Sequence, residues 1–167
     1  PRSLHPDFVI LNPRRGLLIL EVKDWKLETI HKIDRQQALL LTASGPKRTG
    51  NPLEQARQHR HALAGLLQRD PALVQTEGPY KGQLRFAWGY GVVLSNITRR
   101  QFEATDLGEV LNPSQVICRD ELAEQQDPEA FQTRLWGLFG VRFDCLLSAP
   151  QIERVRWHLF PELRLQP

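Results

Sequence analysis

The sequence predicts an α/β fold in which a central mixed β-sheet is flanked by helices. Two short apolar segments, separated by a turn that contains Pro and Gly, predict a β-hairpin near the N-terminus. A helix-capping pattern at Asn51, followed by apolar residues at helical spacing, predicts a long helix that runs to about Arg69. Further strand-like and helical segments follow, and this succession is typical of helices packed on a sheet.

Six segments are predicted to be strands because they are apolar and end at turn residues. They are Asp7–Leu11, Leu17–Lys23, Leu27–Ile33, Gln37–Thr42, Arg85–Leu94 and Val116–Cys118. The second is apolar on both faces until its end, which is typical of a strand in the interior of a sheet. Gly89 and Gly91 in the fifth predict a bulge or the close approach of another group.

The remaining segments are predicted to be loops and helices. Ser44–Gly50 combines Gly, Pro, Lys and Arg and is predicted to be a basic, flexible loop, and residues 70–82 are also predicted to be loop. Two later helices are predicted, one capped by Asp127 and one opening at Pro150. The apolar patterns around three tryptophans place them in the core: Trp88, Trp136 and Trp157.

Length and composition fit one domain over residues 1–167 with a core of its own, since 41% of residues are apolar and 25% are charged. No apolar run approaches the roughly 18 residues of a membrane span, and the first residues lack the apolar region of a signal peptide. Two cysteines are too few for a disulfide framework, so we expect a cytoplasmic protein. The absence of methionine predicts a piece excised from a longer protein.

Positive charge is concentrated in the first part of the chain. Residues 1–69 hold 12 Lys and Arg against 6 Asp and Glu, whereas residues 70–167 hold 10 against 13. A basic field favours a polyanion such as nucleic acid. A solvated surface of mixed charge accounts for the same numbers, so charge alone leaves both interpretations open.

The predicted hairpin brings charged groups together. If Leu11 and Leu17 flank the turn, Asp7 lies opposite Glu21, with Cβ atoms about 4.5–5.5 Å apart. Side chains alternate along a strand, so Glu21 and Lys23 point to the same face. Two carboxylates that close repel each other unless a cation lies between them, and Mg²⁺ commonly takes one or two protein carboxylates. A functionless charge pair at the end of a strand is the alternative.

The residues around this hairpin resemble a known family. Pro6-Asp7, followed by Glu21-Val22-Lys23 at the end of an apolar strand, is similar to the PD-(D/E)XK nuclease superfamily. The whole segment from Asp7 to Trp25 resembles the NERD (nuclease-related) domain, in which the Glu-Val-Lys strand often ends near a Trp. Asn51-Pro52-Leu53 with Gln55, opening a helix, is similar to the family's third motif. The resemblance covers residues 6–67 and implies a restriction-endonuclease-like fold.

The resemblance also implies residue roles. Asp7 and Glu21 would bind Mg²⁺ or Mn²⁺, with Val22 lending its backbone carbonyl. Lys23 would be the catalytic lysine that orients water, and Gln55 would contact the substrate backbone or the water network. The family usually has a helix before the Asp that carries another acidic residue, and this chain departs from that pattern because it begins only five residues before Pro6.

Several further residues are candidates for nucleic-acid binding. Gln55 and His59 are four apart on the predicted helix and share a face, although related nucleases often have Tyr where His59 stands. Lys47 and Arg48 precede that helix and are candidates to hold phosphate. His5 adjoins Pro6-Asp7 and is a weaker candidate to assist the active site, rather than to bind nucleic acid. For Trp25, packing against the core or the edge of the site is favoured over stacking on a base.

The function expected from the sequence is therefore a Mg²⁺- or Mn²⁺-dependent nuclease that acts on DNA, with RNA not excluded, in DNA processing or repair. The family resemblance implies fusion to or association with a helicase, and many such nucleases act as homodimers. One alternative is a non-catalytic nucleic-acid-binding or targeting module of a larger protein. Another is a protein-interaction domain, whose properties would not depend on divalent metal.

Overall fold

A computed structural model describes residues 6–122, 124, 127–140 and 143–160. Seven strands and four α-helices are described. The strands are β1 (Phe8–Asn12), β2 (Gly16–Lys23), β3 (Ile30–Ile33), β4 (Gln37–Thr42), β5 (Gly45–Gly50), β6 (Trp88–Leu94) and β7 (Val116–Cys118). The helices are α1 (Pro52–Gln68), α2 (Arg99–Glu103), α3 (Pro128–Trp136) and α4 (Ala149–Leu159). The candidate residue His5 lies outside the described residues.

The central sheet has four strands in the order β1-β2-β6-β7. β1 runs antiparallel to β2, whereas β2, β6 and β7 are parallel to one another. β2 is an interior strand, as its sequence predicts, and Leu17, Leu18 and Ile19 are fully buried. The sheet is mixed and carries helices on both faces, which confirms the expected restriction-endonuclease-like fold class.

Alternate residues of β2 face the two helical layers. Leu17 and Ile19 pack in one cluster with Leu63 and Leu67 of α1. Leu18 and Leu20 pack in a second cluster with Leu135 and other residues of the α3 region. Because side chains alternate along a strand, Glu21 belongs to the same face as Leu17 and Ile19. The charged end of β2 is therefore directed toward α1.

A second, antiparallel sheet has the order β3-β4-β5, and it corrects the prediction that residues 44–50 form a flexible loop. Residues 45–50 pair with β4 along its whole length, from Gln37↔Gly50 to Thr42↔Gly45. Gly45 has a φ of +106°, which allows the tight turn between the two strands. The segment lacks the alternating apolar pattern of a strand, and cross-strand pairing overrides its weak local preference.

Two other strand boundaries differ from the predicted ones. The segment predicted from Leu27 begins with a 3₁₀ turn over Leu27–Thr29, and β3 starts only at Ile30. β6 starts at Trp88 rather than Arg85. The predicted close approach at its glycines is confirmed, because a Cβ at Gly91 would lie 2.9 Å from the carbonyl oxygen of Gln115.

Helix α1 begins as its sequence predicts. The Asn51 side-chain oxygen accepts hydrogen bonds from the backbone of Leu53 at 2.8 Å and of Glu54 at 3.4 Å. The Asn51 amide also donates to the carbonyl of Asp34 at 2.8 Å and to that of Val110 at 3.2 Å. One buried side chain thus caps α1 and ties it to the turn between β3 and β4.

The prediction that three tryptophans lie in the core holds only in part. Trp25 is 8% exposed and packs against the second sheet, which confirms packing over an exposed stacking role. Trp88 and Trp136 are half-buried against the two core clusters. The prediction is wrong for Trp157, which is 61% exposed. Val155 and Leu159 are the buried residues of α4. Trp157 lies midway between them in sequence, so its side chain points away from the face that they share.

The described helices include none long and apolar enough to cross a membrane. Cys118 and Cys145 are both free thiols, one buried and one partly buried.

The turn of the first hairpin depends on Gly16. This residue has a φ of +115°, and a Cβ there would lie 2.1 Å from the Ala87 carbonyl oxygen. The next residue, Leu17, donates its backbone N–H to that same oxygen at 3.0 Å. We expect Gly16→Ala to lower the free energy of unfolding in urea by about 3 kcal/mol or more, because it combines backbone strain with a backbone clash.

Gly45→Ala is the matched control for this prediction. Gly45 also has a positive φ, but a Cβ there would meet nothing within 4 Å. Gly45→Ala should therefore lower the free energy of unfolding only through backbone strain, by about 1 kcal/mol. Equal losses in the two variants would show that the contact with Ala87 is unimportant.

Asp70 joins the end of α1 to α4. Its carboxylate is 1% exposed and accepts hydrogen bonds from Arg154 Nε at 2.6 Å and from the Ala72 backbone at 3.0 Å, and it lies 2.8 Å from His158 Nε2. Mainly through the hydrogen bond from Arg154, these partners lower the pKa of Asp70 from 3.8 to about 2, against the opposing effect of burial.

We expect Asp70→Asn to destabilise the fold by about 1–3 kcal/mol at neutral pH, since it weakens a buried, charge-assisted set of hydrogen bonds. A lowered carboxyl pKa stabilises the fold above the unfolded value, so wild type should lose this contribution as the pH falls from about 4 toward 2. The variant should lack that pH dependence. Glu153→Gln, at an exposed ion pair of the same helix, should change stability by less than about 0.5 kcal/mol.

Candidate active site

The hairpin register places Asp7 beside the end of β2. The predicted pairing of Leu11 with Leu17 is confirmed, and the ladder continues to Phe8↔Leu20. Asp7 lies just before β1 and is exposed, and its Oδ2 accepts a hydrogen bond from the Val22 backbone at 2.9 Å. This contact fixes the Asp7 carboxylate next to the strand position that follows Glu21.

Glu21 is a carboxylate buried in the central sheet. The residue is 5% exposed and pairs in parallel with Val92 of β6. Its Oε1 lies 2.7 Å from Nδ1 of His59 on α1. Burial and then the nearby Asp7 carboxylate raise the pKa of Glu21 above its usual value, while His59 opposes the increase. The protein therefore holds an acidic group where its charged form is poorly stabilised.

Lys23 follows two residues later and shares the face of Glu21. Its backbone carbonyl accepts hydrogen bonds from the Ser95 backbone at 3.0 Å and from the Ser95 hydroxyl at 3.3 Å, which fix the end of β2 against the chain that leaves β6. Its Nζ lies 5.8 Å from the centre of the Trp25 ring. No ion pair of Lys23 occurs among the described residues, so the ammonium group is available to an anion.

Helix α1 supplies the other side of the site. Gln55 and His59 are one turn apart, and the contact of His59 with Glu21 shows that this part of α1 lies over the end of β2. The Gln55 Oε1 atom is buried and accepts no hydrogen bond from the rest of the described structure. A buried amide oxygen without a partner is costly, which suggests that a water or ligand satisfies it.

The donor atoms at this site fit a hard divalent cation better than zinc. Asp7 and Glu21 offer carboxylate oxygens close enough together for Asp7 to raise the pKa of Glu21. Gln55 of α1 adds a buried oxygen that has no hydrogen-bond partner in the described structure. The described parts of the chain contain no group of three or more His, Cys, Asp and Glu side chains arranged to hold a metal. One or two carboxylates with retained waters are typical of Mg²⁺, whereas zinc sites usually need three or four protein ligands.

The two other candidate phosphate-binding residues lie on the second sheet. Lys47 and Arg48 are both exposed on β5. The last residue of that strand, Gly50, lies against Gln55, since a Cβ at Gly50 would be 3.1 Å from Gln55 Nε2. The strand that carries the two cations thus ends beside the candidate site.

The contact between His59 and Glu21 is the feature that sequence reasoning missed. The helical spacing of Gln55 and His59 places both on one face, but it does not say which strand that face meets. Only the packing of Leu63 and Leu67 against Leu17 determines this, because it orients α1 over β2.

The model of the nuclease-related domain family, NERD, matches residues 2–86 of the chain, which is just over half of its length. No curated protein and no solved structure matches the chain. The matched segment contains both strands of the first hairpin, the second sheet and all of α1. The chain belongs to the nuclease-related domain family.

Proposed function

We propose that this domain is a nuclease that hydrolyses phosphodiester bonds of DNA with the help of Mg²⁺ or Mn²⁺. The observation that carries the proposal is the Glu21 carboxylate, buried beside Asp7 with its pKa raised and with Lys23 on the same face. Acids whose pKa is shifted by burial and by a specific charged neighbour are common at functional sites. Membership of the nuclease-related domain family supports the same conclusion.

Asp7, Glu21 and the backbone carbonyl of Val22 would hold the cation. When bound, such a cation lowers the pKa of a coordinated water and neutralises charge on the phosphate. The two carboxylates repel each other, which is the cost that a cation between them would remove. The hydrogen bond from the Val22 backbone keeps Asp7 in place for this role.

Lys23 and Gln55 would act on the reacting groups. The Lys23 ammonium, without an ion-pair partner in the described structure, would orient the attacking water and stabilise negative charge that develops on the phosphate. Gln55 would use its unsatisfied oxygen to hold a water, or its amide to contact the substrate backbone. Lys47 and Arg48 would hold flanking phosphates.

His59 is better explained as a positioning residue for Glu21 than as a direct contact to nucleic acid. Its Nδ1 lies 2.7 Å from Glu21 Oε1, and its side chain is only 17% exposed. A ring in that position limits the rotamers of the carboxylate and so keeps its second oxygen directed to the site.

A second candidate function is a non-catalytic nucleic-acid-binding module. The observation in its favour is that one oxygen of Glu21 is already engaged by His59, and that the described residues supply two carboxylates rather than three metal-ligating side chains. A module of this kind would keep the fold and the exposed Lys47 and Arg48 of the second sheet, and it would bind DNA without cutting it.

The wider setting of the proposal rests on the family resemblance. We propose one domain that works in DNA processing or repair in the cytoplasm, is fused to or associated with a helicase, and pairs as a homodimer when both strands are cut. The free Cys118 and Cys145 thiols agree with a reducing compartment.

Cleavage of labelled linear and circular DNA, single- and double-stranded, tests the proposed activity. With Mg²⁺ or Mn²⁺ we expect cutting that a chelator abolishes. Glu21→Gln and Lys23→Met should each lower the single-turnover rate by about 10²–10³-fold, since the first removes a ligand of the cation and the second removes a charge that acts on the reacting phosphate. Products from circular DNA would identify an endonuclease.

Asp24→Asn is the matched control because Asp24 is a neighbouring, exposed carboxylate outside the proposed site. It should cut at the wild-type rate. Metal-dependent cutting that persists in Glu21→Gln and Lys23→Met would contradict the assignment of the site. Binding of DNA with no cutting by any of the proteins would favour the non-catalytic module.

Thermal unfolding should reveal the cost of burying the Glu21 charge. A raised carboxyl pKa means that Glu21 stabilises the fold least at high pH, where its charged form must be buried. In chelator, Glu21→Gln should therefore have a higher Tm than wild type at pH 8, and the difference should shrink toward pH 5. Mn²⁺ should raise the Tm of wild type but not of the variant. A lower Tm of Glu21→Gln at pH 8 would contradict this.

A further inference from the structure

The second sheet carries the net positive charge of the chain. Residues 30–50 contain Lys32, Arg35, Lys47 and Arg48 against the single acid Asp34, a net charge of +3. This equals the formal charge of the whole chain, so the other residues hold 18 cationic and 18 acidic side chains and are balanced.

The four cations of this sheet are exposed and form no ion pair among the described residues, whereas several arginines elsewhere do form one. Arg99 and Arg134 both pair with Glu121, and Arg154 pairs with Asp70. The one acid of the sheet, Asp34, lies in the turn between β3 and β4. Its Oδ1 accepts hydrogen bonds from the backbone N–H groups of Gln36 and Gln37, both at 2.7 Å. The positive field of the sheet is therefore not neutralised from within.

Cross-strand pairing groups these cations. Lys32 and Arg48 both pair with Leu39, so the three residues form a row on one face of the sheet. Leu41, on the same face, is 48% exposed. Lys47 pairs with Leu40 on the opposite face, where Leu40 packs on Trp25. The basic surface thus extends from the outer face to the edge beside Trp25.

The sheet is held in place next to the candidate active site. Trp25, buried under Ala38 and Leu40, lies beside the Lys23 ammonium. Gly50 lies against Gln55, and the Asn51 backbone donates to the Gln36 carbonyl at 2.9 Å. These contacts connect the buried face of β4, and the end of the β4–β5 pair where Gln37 meets Gly50, to the elements that carry the site. A polyanion bound on the sheet would continue past Lys23.

We propose that the β3–β5 sheet is the nucleic-acid-binding arm of this domain, in which Lys32, Arg35, Lys47 and Arg48 contact successive phosphates next to the one that is cut. A six-residue strand spans about 20 Å, the length of about six base steps of duplex DNA. The inference deepens the proposed nuclease function. It rests on that function for the claim that the bound DNA leads from the sheet to the end of β2. It assigns binding to the sheet and hydrolysis to the end of β2.

The salt dependence of DNA binding tests this arm. Binding of a labelled duplex is measured by anisotropy across a range of salt concentrations, with the full chain in a Glu21→Gln background. Each phosphate contact contributes about −0.9 to the slope of log K against log [salt]. The double variant Lys32→Ser/Arg48→Ser should make the slope less steep by about 2 and weaken Kd by about 10- to 100-fold at 0.1 M salt.

Arg69→Ser/Lys81→Ser is the matched control. It also removes one exposed arginine and one exposed lysine, but from the C-terminal end of α1 and the loop that follows. It should leave slope and Kd near those of the Glu21→Gln protein. Equal losses in the two double variants would overturn the inference, because binding would then depend on total charge alone.

A second readout separates this inference from the proposed activity. With Glu21 intact, the sheet variant should need about 10- to 100-fold more DNA than wild type to reach half of its own maximal single-turnover rate. Absence of cutting by every protein, together with the sheet-specific loss of binding, would contradict the nuclease and support the arm. A wild-type salt slope in the sheet variant, together with normal cutting, would contradict the arm and support the nuclease.

Discussion

The pairing of β2 on both sides is the constraint on which the rest of the molecule depends. β1 and β6 take up its backbone hydrogen bonds, and its alternate side chains anchor α1 on one face and the α3 region on the other. A strand held in this way has little freedom to move or slip, because a shift by one residue would exchange its two buried faces. The charged residues at its end are consequently held in fixed positions by the same contacts that form the core.

That rigidity explains how the fold tolerates a buried acid. Glu21 occupies a position that continues the apolar series of Leu17 and Ile19, and an apolar side chain there would suit the core better. Its retention costs stability at neutral pH, since burial and Asp7 both disfavour its charge. Proteins commonly accept such local costs at functional sites and offset them elsewhere. Here the apolar residues of β2 and α1 supply the offset.

Much of the fold and part of the site follow from local sequence. The first hairpin could be predicted because a short turn with Pro and Gly limits the register, and the register alone brings Asp7 near Glu21. α1 could be predicted because Asn51 and Pro52 are strong start signals. β5 could not, since its Lys, Arg, Gly and Pro form a strand only when β4 lies beside them. The contact of His59 with Glu21 also depends on how a helix lies on a sheet, which no local pattern records.

The parallel pairing of β2 with β6 has a consequence for how the domain assembles. Leu17 pairs with Trp88, 71 residues later, so the central sheet can close only after a long crossover has folded back. Contacts between residues so far apart form slowly, because the entropy of closing the loop is lost before the contacts compensate for it. During synthesis, residues Asp7 to His59 would leave the ribosome well before β6 does. The candidate site, although encoded in the first 59 residues of the chain, would acquire its buried and ordered form only when β6 is in place.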